Sequence, residues 1–88
     1  MANLAIHGVQ YLLSEIEIYH YKIEAILKNP SSNIDLNEIN NSVDEFEKQF
    51  ENYRIWKVSI FIRPKYNAIL KKIEKRLIQM REMLSCLQ

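Results

Sequence analysis

Apolar residues recur along the first segment at Ile6, Val9, Leu13, Ile16, Ile23 and Leu27, with His20 in the remaining position of a spacing that alternates three and four. That alternation holds one stripe of a helix toward its neighbours. Leu12, Tyr19 and Ile26 repeat every seven residues beside the stripe and widen it, which predicts a helix that touches more than one other element. A second seam runs through Leu36, Ile39, Val43, Phe46, Phe50 and Tyr53. A third, the longest regular pattern, runs through Tyr66, Leu70, Ile73, Leu77, Met80, Leu84 and Leu87. The predicted fold is all-α: three long amphipathic helices over residues 4–28, 36–62 and 65–87 of a single domain, arranged as an antiparallel bundle or as a helical hairpin completed by oligomerisation.

The boundaries follow from local chemistry. Asn29-Pro30-Ser31-Ser32-Asn33 reads as a loop, because Pro30 disfavours a helical Asn29 and Ser and Asn side chains compete for backbone hydrogen bonds. Asp35 with Glu38 three residues later resembles a capping box, and Ile34 with Ile39 would form the hydrophobic staple around it. The stretch from Ile55 to Arg63 is ambiguous. Trp56, Val58, Ile60 and Ile62 alternate as in a strand, yet no other segment offers a pairing partner, so the stretch is assigned to the last turns of the second helix, apolar nearly all round and buried on more than one side. Pro64 then marks either the first turn of a new helix or a kink. The second seam extended in sevens reaches Pro64 and the third extended backwards reaches Arg63, a one-residue phase break that favours two helices joined tightly.

Composition narrows the class. In 88 residues, 48% are hydrophobic and 26% charged, with one Gly and two Pro, which disfavours disorder and Gly/Pro-turned β folds. One cysteine, Cys86, excludes an intramolecular disulfide framework. No apolar run is long enough for a transmembrane segment and no basic region precedes the first apolar residues, so the expected location is cytoplasmic.

Net charge is +1 but unevenly placed: residues 1–53 carry three Lys against nine acids, and residues 54–88 carry nine Lys or Arg against two Glu. The simplest consequence is that a basic third helix packs against acidic neighbours. The alternative is a nucleic-acid-binding regulator that uses a basic face of Lys65, Lys71, Lys72, Lys75 and Arg76, although the acidic half of the chain opposes phosphate and no helix-turn-helix spacing is present.

Other candidate chemistry is sparse. Glu17 and His20 stand in the Glu-x-x-His arrangement of di-metal carboxylate bundles, but the further inward carboxylates those sites need are missing from the other two seams, so no metal is expected. One Gly allows no Gly-rich phosphate loop, Cys86 lies near the C-terminus, and no catalytic constellation or cofactor is expected. What remains is a non-enzymatic protein-protein interaction module, of the kind found in small regulators, inhibitors, immunity proteins or secretion-type chaperones. It would bind a protein partner or itself, as a homo-oligomer, through an apolar helical surface. Trp56, Ile60, Phe61 and Ile62 are the expected contact residues, since they are too many-sided for two packed neighbours to cover and Trp is the type most enriched among interface hot spots.

Overall fold

The computed structural model describes residues 2–29 and 35–87, with side chains from Leu4 onward. Three helices form: α1 (Ala2–Lys28), α2 (Leu36–Arg54) and α3 (Arg63–Leu87), with no strand among the described residues. They pack as an all-α bundle of 47 × 18 × 17 Å, whose length is close to the ~40 Å of a 27-residue helix. Of the two expected arrangements, the chain takes the antiparallel bundle.

Neighbouring side chains give the directions. Gly8 lies against Tyr53 and Tyr19 meets Phe46, so α1 and α2 are antiparallel. Tyr53 meets Tyr66 while Asp44 and Glu47 meet Arg81, so α2 and α3 are antiparallel too. α1 and α3 therefore run in the same direction, with Glu17 beside Arg76, and they share the most extensive contact of the three pairs.

The seams of α2 and α3 face inward as the spacing predicts: Ile39, Val43, Phe46 and Phe50 are buried on one, and Tyr66, Leu70, Ile73, Leu77, Met80 and Leu84 on the other. α1 is rotated from its expected setting. Its buried stripe is Ala5, Ile6, Val9, Leu12, Ile16, Ile23 and Ile26, with Tyr19 packed in the sequence gap between Ile16 and Ile23, while of the expected seam Leu13 and His20 lie at the edge and Leu27 is exposed. The two neighbours that the widening residues Leu12, Tyr19 and Ile26 predict explain the turn. Tyr19 sets its ring edge-on to Phe46 of α2 with centroids 5.2 Å apart, and the polar His20, still largely covered at the edge of the core, meets Glu24 at 3.1 Å. Among the described residues no charged side chain is buried, and apolar side chains together with the Tyr66 phenol fill the interior.

Asp35 caps α2 as expected, its Oδ1 accepting from the backbone N–H of Asn37 at 2.9 Å and of Glu38 at 3.4 Å. The expected loop over Pro30–Asn33 and the Ile34 half of the staple lie outside the described residues.

The main correction concerns the end of α2, which stops at Arg54 rather than at residue 62. Residues 55–62 form a non-helical connection, and they are mostly exposed rather than buried on several sides. The physical reason is a competing set of hydrogen bonds, joined to the weak helix preference of the β-branched and aromatic residues Ile55, Trp56, Val58 and Ile60. The Tyr53 carbonyl, freed at the helix end, accepts from the Trp56 N–H at 3.2 Å and from the Tyr66 hydroxyl at 2.5 Å. Further on, the Ser59 hydroxyl accepts from the Phe61 N–H at 3.3 Å, and the Ser59 carbonyl accepts from the N–H groups of Ile62 at 3.1 Å and Arg63 at 3.0 Å. The Arg63 side chain closes the turn by donating to the Val58 carbonyl at 3.2 Å. Pro64 then falls in the first turn of α3, where its missing donor costs nothing. The phase break thus separates two helices, but across eight residues instead of a tight joint.

Candidate functional site

The connection and the start of α1 meet at one end of the bundle, because α1 and α3 are parallel and begin side by side. There Leu4 is 65% exposed, Ile55 72%, Trp56 51%, Ile60 68% and Phe61 92%. A single exposed apolar residue is ordinary on a soluble domain; five large ones gathered at one end are not. An open groove of about 440 Å³ runs through this end, lined by Leu4, Ala5, Trp56, Lys57, Val58, Ser59 and Ile62.

The expected contact residues divide in two. Trp56, Ile60 and Phe61 are exposed, whereas Ile62 is half-buried and packs on the core together with Val58. Trp56 is held in place by an edge-to-face contact with Tyr53, ring centroids 5.0 Å apart, so its indole is a fixed feature of the surface. Leu4 escaped the sequence reading, since nothing in the spacing of α1 says which end of the bundle it will share. Ile55, the cap residue after Arg54, is exposed at the same end.

The basic residues fare differently. Lys65, Lys71, Lys72 and Lys75 are exposed, but Arg76 is turned onto α1, its Nε donating to Glu17 Oε1 at 2.6 Å and its Nη1 to Gln79 Oε1 at 3.0 Å. Lys72, Lys75 and Arg76 share a groove of about 430 Å³ with Leu13, Glu17 and Gln79, so a carboxylate sits inside the face that a phosphate would have to enter. Arg81 is likewise committed within the fold. It reaches Glu47 with two donors, at 2.7 and 3.1 Å, and also bonds Asp44, and these carboxylates raise its pKa against the opposing effect of burial.

Glu17 and His20 do not converge. Glu17 is engaged by Arg76 and the His20 Nδ1 faces Glu24. Among the described residues no three His, Cys, Asp or Glu side chains stand together as a metal-holding group, and Cys86 is exposed near the end of α3. A groove of about 390 Å³ between α2 and α3 has a floor of Phe50, Leu77 and Ile78 and a rim that includes Glu47 and Glu51, which are paired with Arg81 and Arg54. No described helix is long and apolar enough to cross a membrane. In comparisons with protein-family models, with curated proteins and with solved structures, nothing matches this chain.

Proposed function

We propose that this chain is a non-enzymatic interaction module that docks a protein partner on the apolar end formed by Leu4, Ile55, Trp56, Ile60 and Phe61. The observation that carries the reading is the exposure of Phe61, 92%, in a segment that is tied down by hydrogen bonds at Ser59, Val58 and Tyr53. Keeping large apolar side chains in water forgoes about 25 cal/mol for every Å² left uncovered, and a preordered segment gives up little conformational freedom when covered. Trp56 supplies the fixed aromatic anchor and Ile55, Ile60 and Phe61 the surrounding contact, the pattern of an interface centre. A small regulator, inhibitor, immunity protein or secretion-type chaperone would use such a surface in the cytoplasm. The basic-face alternative has the weaker support, because Arg76 is occupied and Glu17 stands within the groove.

The test compares the wild-type chain with Phe61→Asp as baits in extracts of the native host. A partner retained by the wild type and by Lys72→Glu, but lost with Phe61→Asp at unchanged helical circular dichroism, supports the reading. A partner that ignores Phe61→Asp and is released by Lys72→Glu or by nuclease transfers the function to the basic face.

A further inference from the structure

α1 carries a second stripe on the side away from its core. Leu4, His7, Tyr11, Ser14, Ile18, Tyr21 and Ala25 follow one another at intervals of three and four, and all are exposed. Leu4, Tyr11, Ile18 and Tyr21 are 65%, 69%, 53% and 75% exposed. Across this stripe no residue is an acid, Lys or Arg, although every other exposed helix face of the bundle is charged. Such spacing is that of a helix seam with a partner, and among the described residues nothing covers this one.

We infer that this outer face of α1 binds the same face of a second copy of the chain, forming an antiparallel two-fold dimer. Area and charge select that occupant. Side chains of this size present on the order of 200 Å² each, so the four exposed apolar ones contribute about 500 Å² per copy. With His7, Ser14 and Ala25 between them the face approaches the roughly 800 Å² that each partner gives to a stable interface. The absence of formal charge means that like meets like without repulsion, as a two-fold contact demands, and offers nothing to attract a charged partner. The flanking residues choose the register. With the two-fold axis between Leu12 and Leu13, Leu4 meets Tyr21 of the second copy, Tyr11 meets Ser14 and Ile18 meets His7, while flanking Glu17 faces Gln10 and Glu15 faces Gly8. Sliding by one heptad in one direction would set Glu15 against Glu15 and Glu17 against Glu17, and in the other would leave Ile18 and Tyr21 beyond the facing stripe, so the first register is the one formed.

Sedimentation of the full chain tests the contact. The wild type is expected as a dimer, and Ile18→Glu, which places two carboxylates in the seam, weakens it about 100-fold or more with unchanged helical circular dichroism. For register, a Tyr11→Cys chain is mixed with a Ser14→Cys chain, both carrying Cys86→Ser, and oxidised gently; the mixed disulfide should exceed either self-disulfide. A wild-type chain that stays monomeric at high concentration overturns the inference. So does a dimer that survives Ile18→Glu but is lost with Phe61→Asp, which would place self-association at the apolar end, or one in which Tyr11→Cys links chiefly to itself.

Discussion

Tyr66 donates its hydroxyl to the backbone carbonyl of Tyr53 at 2.5 Å, bridging the first turns of α3 and the last turn of α2. That carbonyl also receives the Trp56 N–H. One buried phenol therefore marks where α2 stops and where the exposed connection begins, and it links the packing of the bundle to the presentation of Trp56.

Tyr66→Phe should lower stability by about 1 kcal/mol, the low value reflecting the Trp56 N–H that still satisfies the carbonyl. Its signature is the pH dependence. Burial, and after it the neighbouring Tyr53, raise the Tyr66 pKa above 10.0. A group with a raised folded-state pKa contributes fully below its unfolded value and loses that contribution as pH climbs through the folded one. Wild-type stability should thus fall as pH rises past about 10, and Tyr66→Phe should flatten part of that fall in chemical denaturation. Tyr11, whose pKa is raised by its hydrogen bond to Glu15, is exposed and unchanged in both chains, so it does not affect the comparison. Equal alkaline slopes in the two chains would remove Tyr66 from this role.

Gly8 exists in mid-helix because of Tyr53. A Cβ placed there would come within 2.6 Å of the Tyr53 Oη and 2.9 Å of its Cε1. In an open helix position Gly→Ala gains about 1 kcal/mol. Here that gain is opposed by displacement of a ring that also meets Trp56 edge-to-face, so Gly8→Ala should destabilise the protein and alter Trp56 fluorescence. In the Tyr53→Ala background the same change should become stabilising, a coupling that a double-mutant cycle in urea reads directly. Additive effects would mean that the ring moves aside freely.

Arg81 joins α3 to α2 through Glu47 and Asp44. Because the pairing with Glu47 is two-pronged, Arg81→Lys is not conservative and should cost about 0.5–1 kcal/mol, much of it absent at 1 M salt where exposed charge pairs are screened. Thermal melts of the two chains at low and high salt supply the check; an equal difference at both would assign the loss to packing of the arginine stem instead.

How far the fold was legible depended on how many neighbours each helix has and on where its backbone bonds go. Phe46, Phe50 and Tyr53 on α2, and Tyr66 through Leu84 on α3, lie on single stripes whose spacing leaves one orientation. On α1, Leu12 and Leu13 both sit beside the line of Val9 and Ile16, and only the presence of α2 at Tyr19 decides that Leu12 goes in. The period-two pattern over Trp56, Val58, Ile60 and Ile62 was a real signal of a non-helical segment, but one answered by side-chain capping rather than by strand pairing. A Tyr thirteen residues away that ends a helix has no spacing by which to be found. The exposure of Trp56, Ile60 and Phe61 was legible because too many apolar groups crowded one segment, whereas the place of Leu4 at the same end required the parallel α1 and α3.

Ile62 and Phe61 are neighbours with opposite exposure, which makes them the sharpest pair for separating packing within the fold from the proposed contact. Ile62 is half-buried against the core and its carbonyl accepts the Tyr66 N–H at 2.9 Å, so truncating its side chain removes packing at the start of α3. Phe61 is 92% exposed and only its backbone is engaged. Ile62→Ala should therefore cost about 1–2 kcal/mol, less than a fully buried isoleucine, and lower the melting temperature. Phe61→Asp should leave the melting temperature within a few degrees and improve solubility, since an exposed apolar ring is replaced by a charge. Differential scanning calorimetry on both chains decides it. If Phe61→Asp melts as early as Ile62→Ala, the ring is part of the folded interior and the apolar end loses its outermost contact residue.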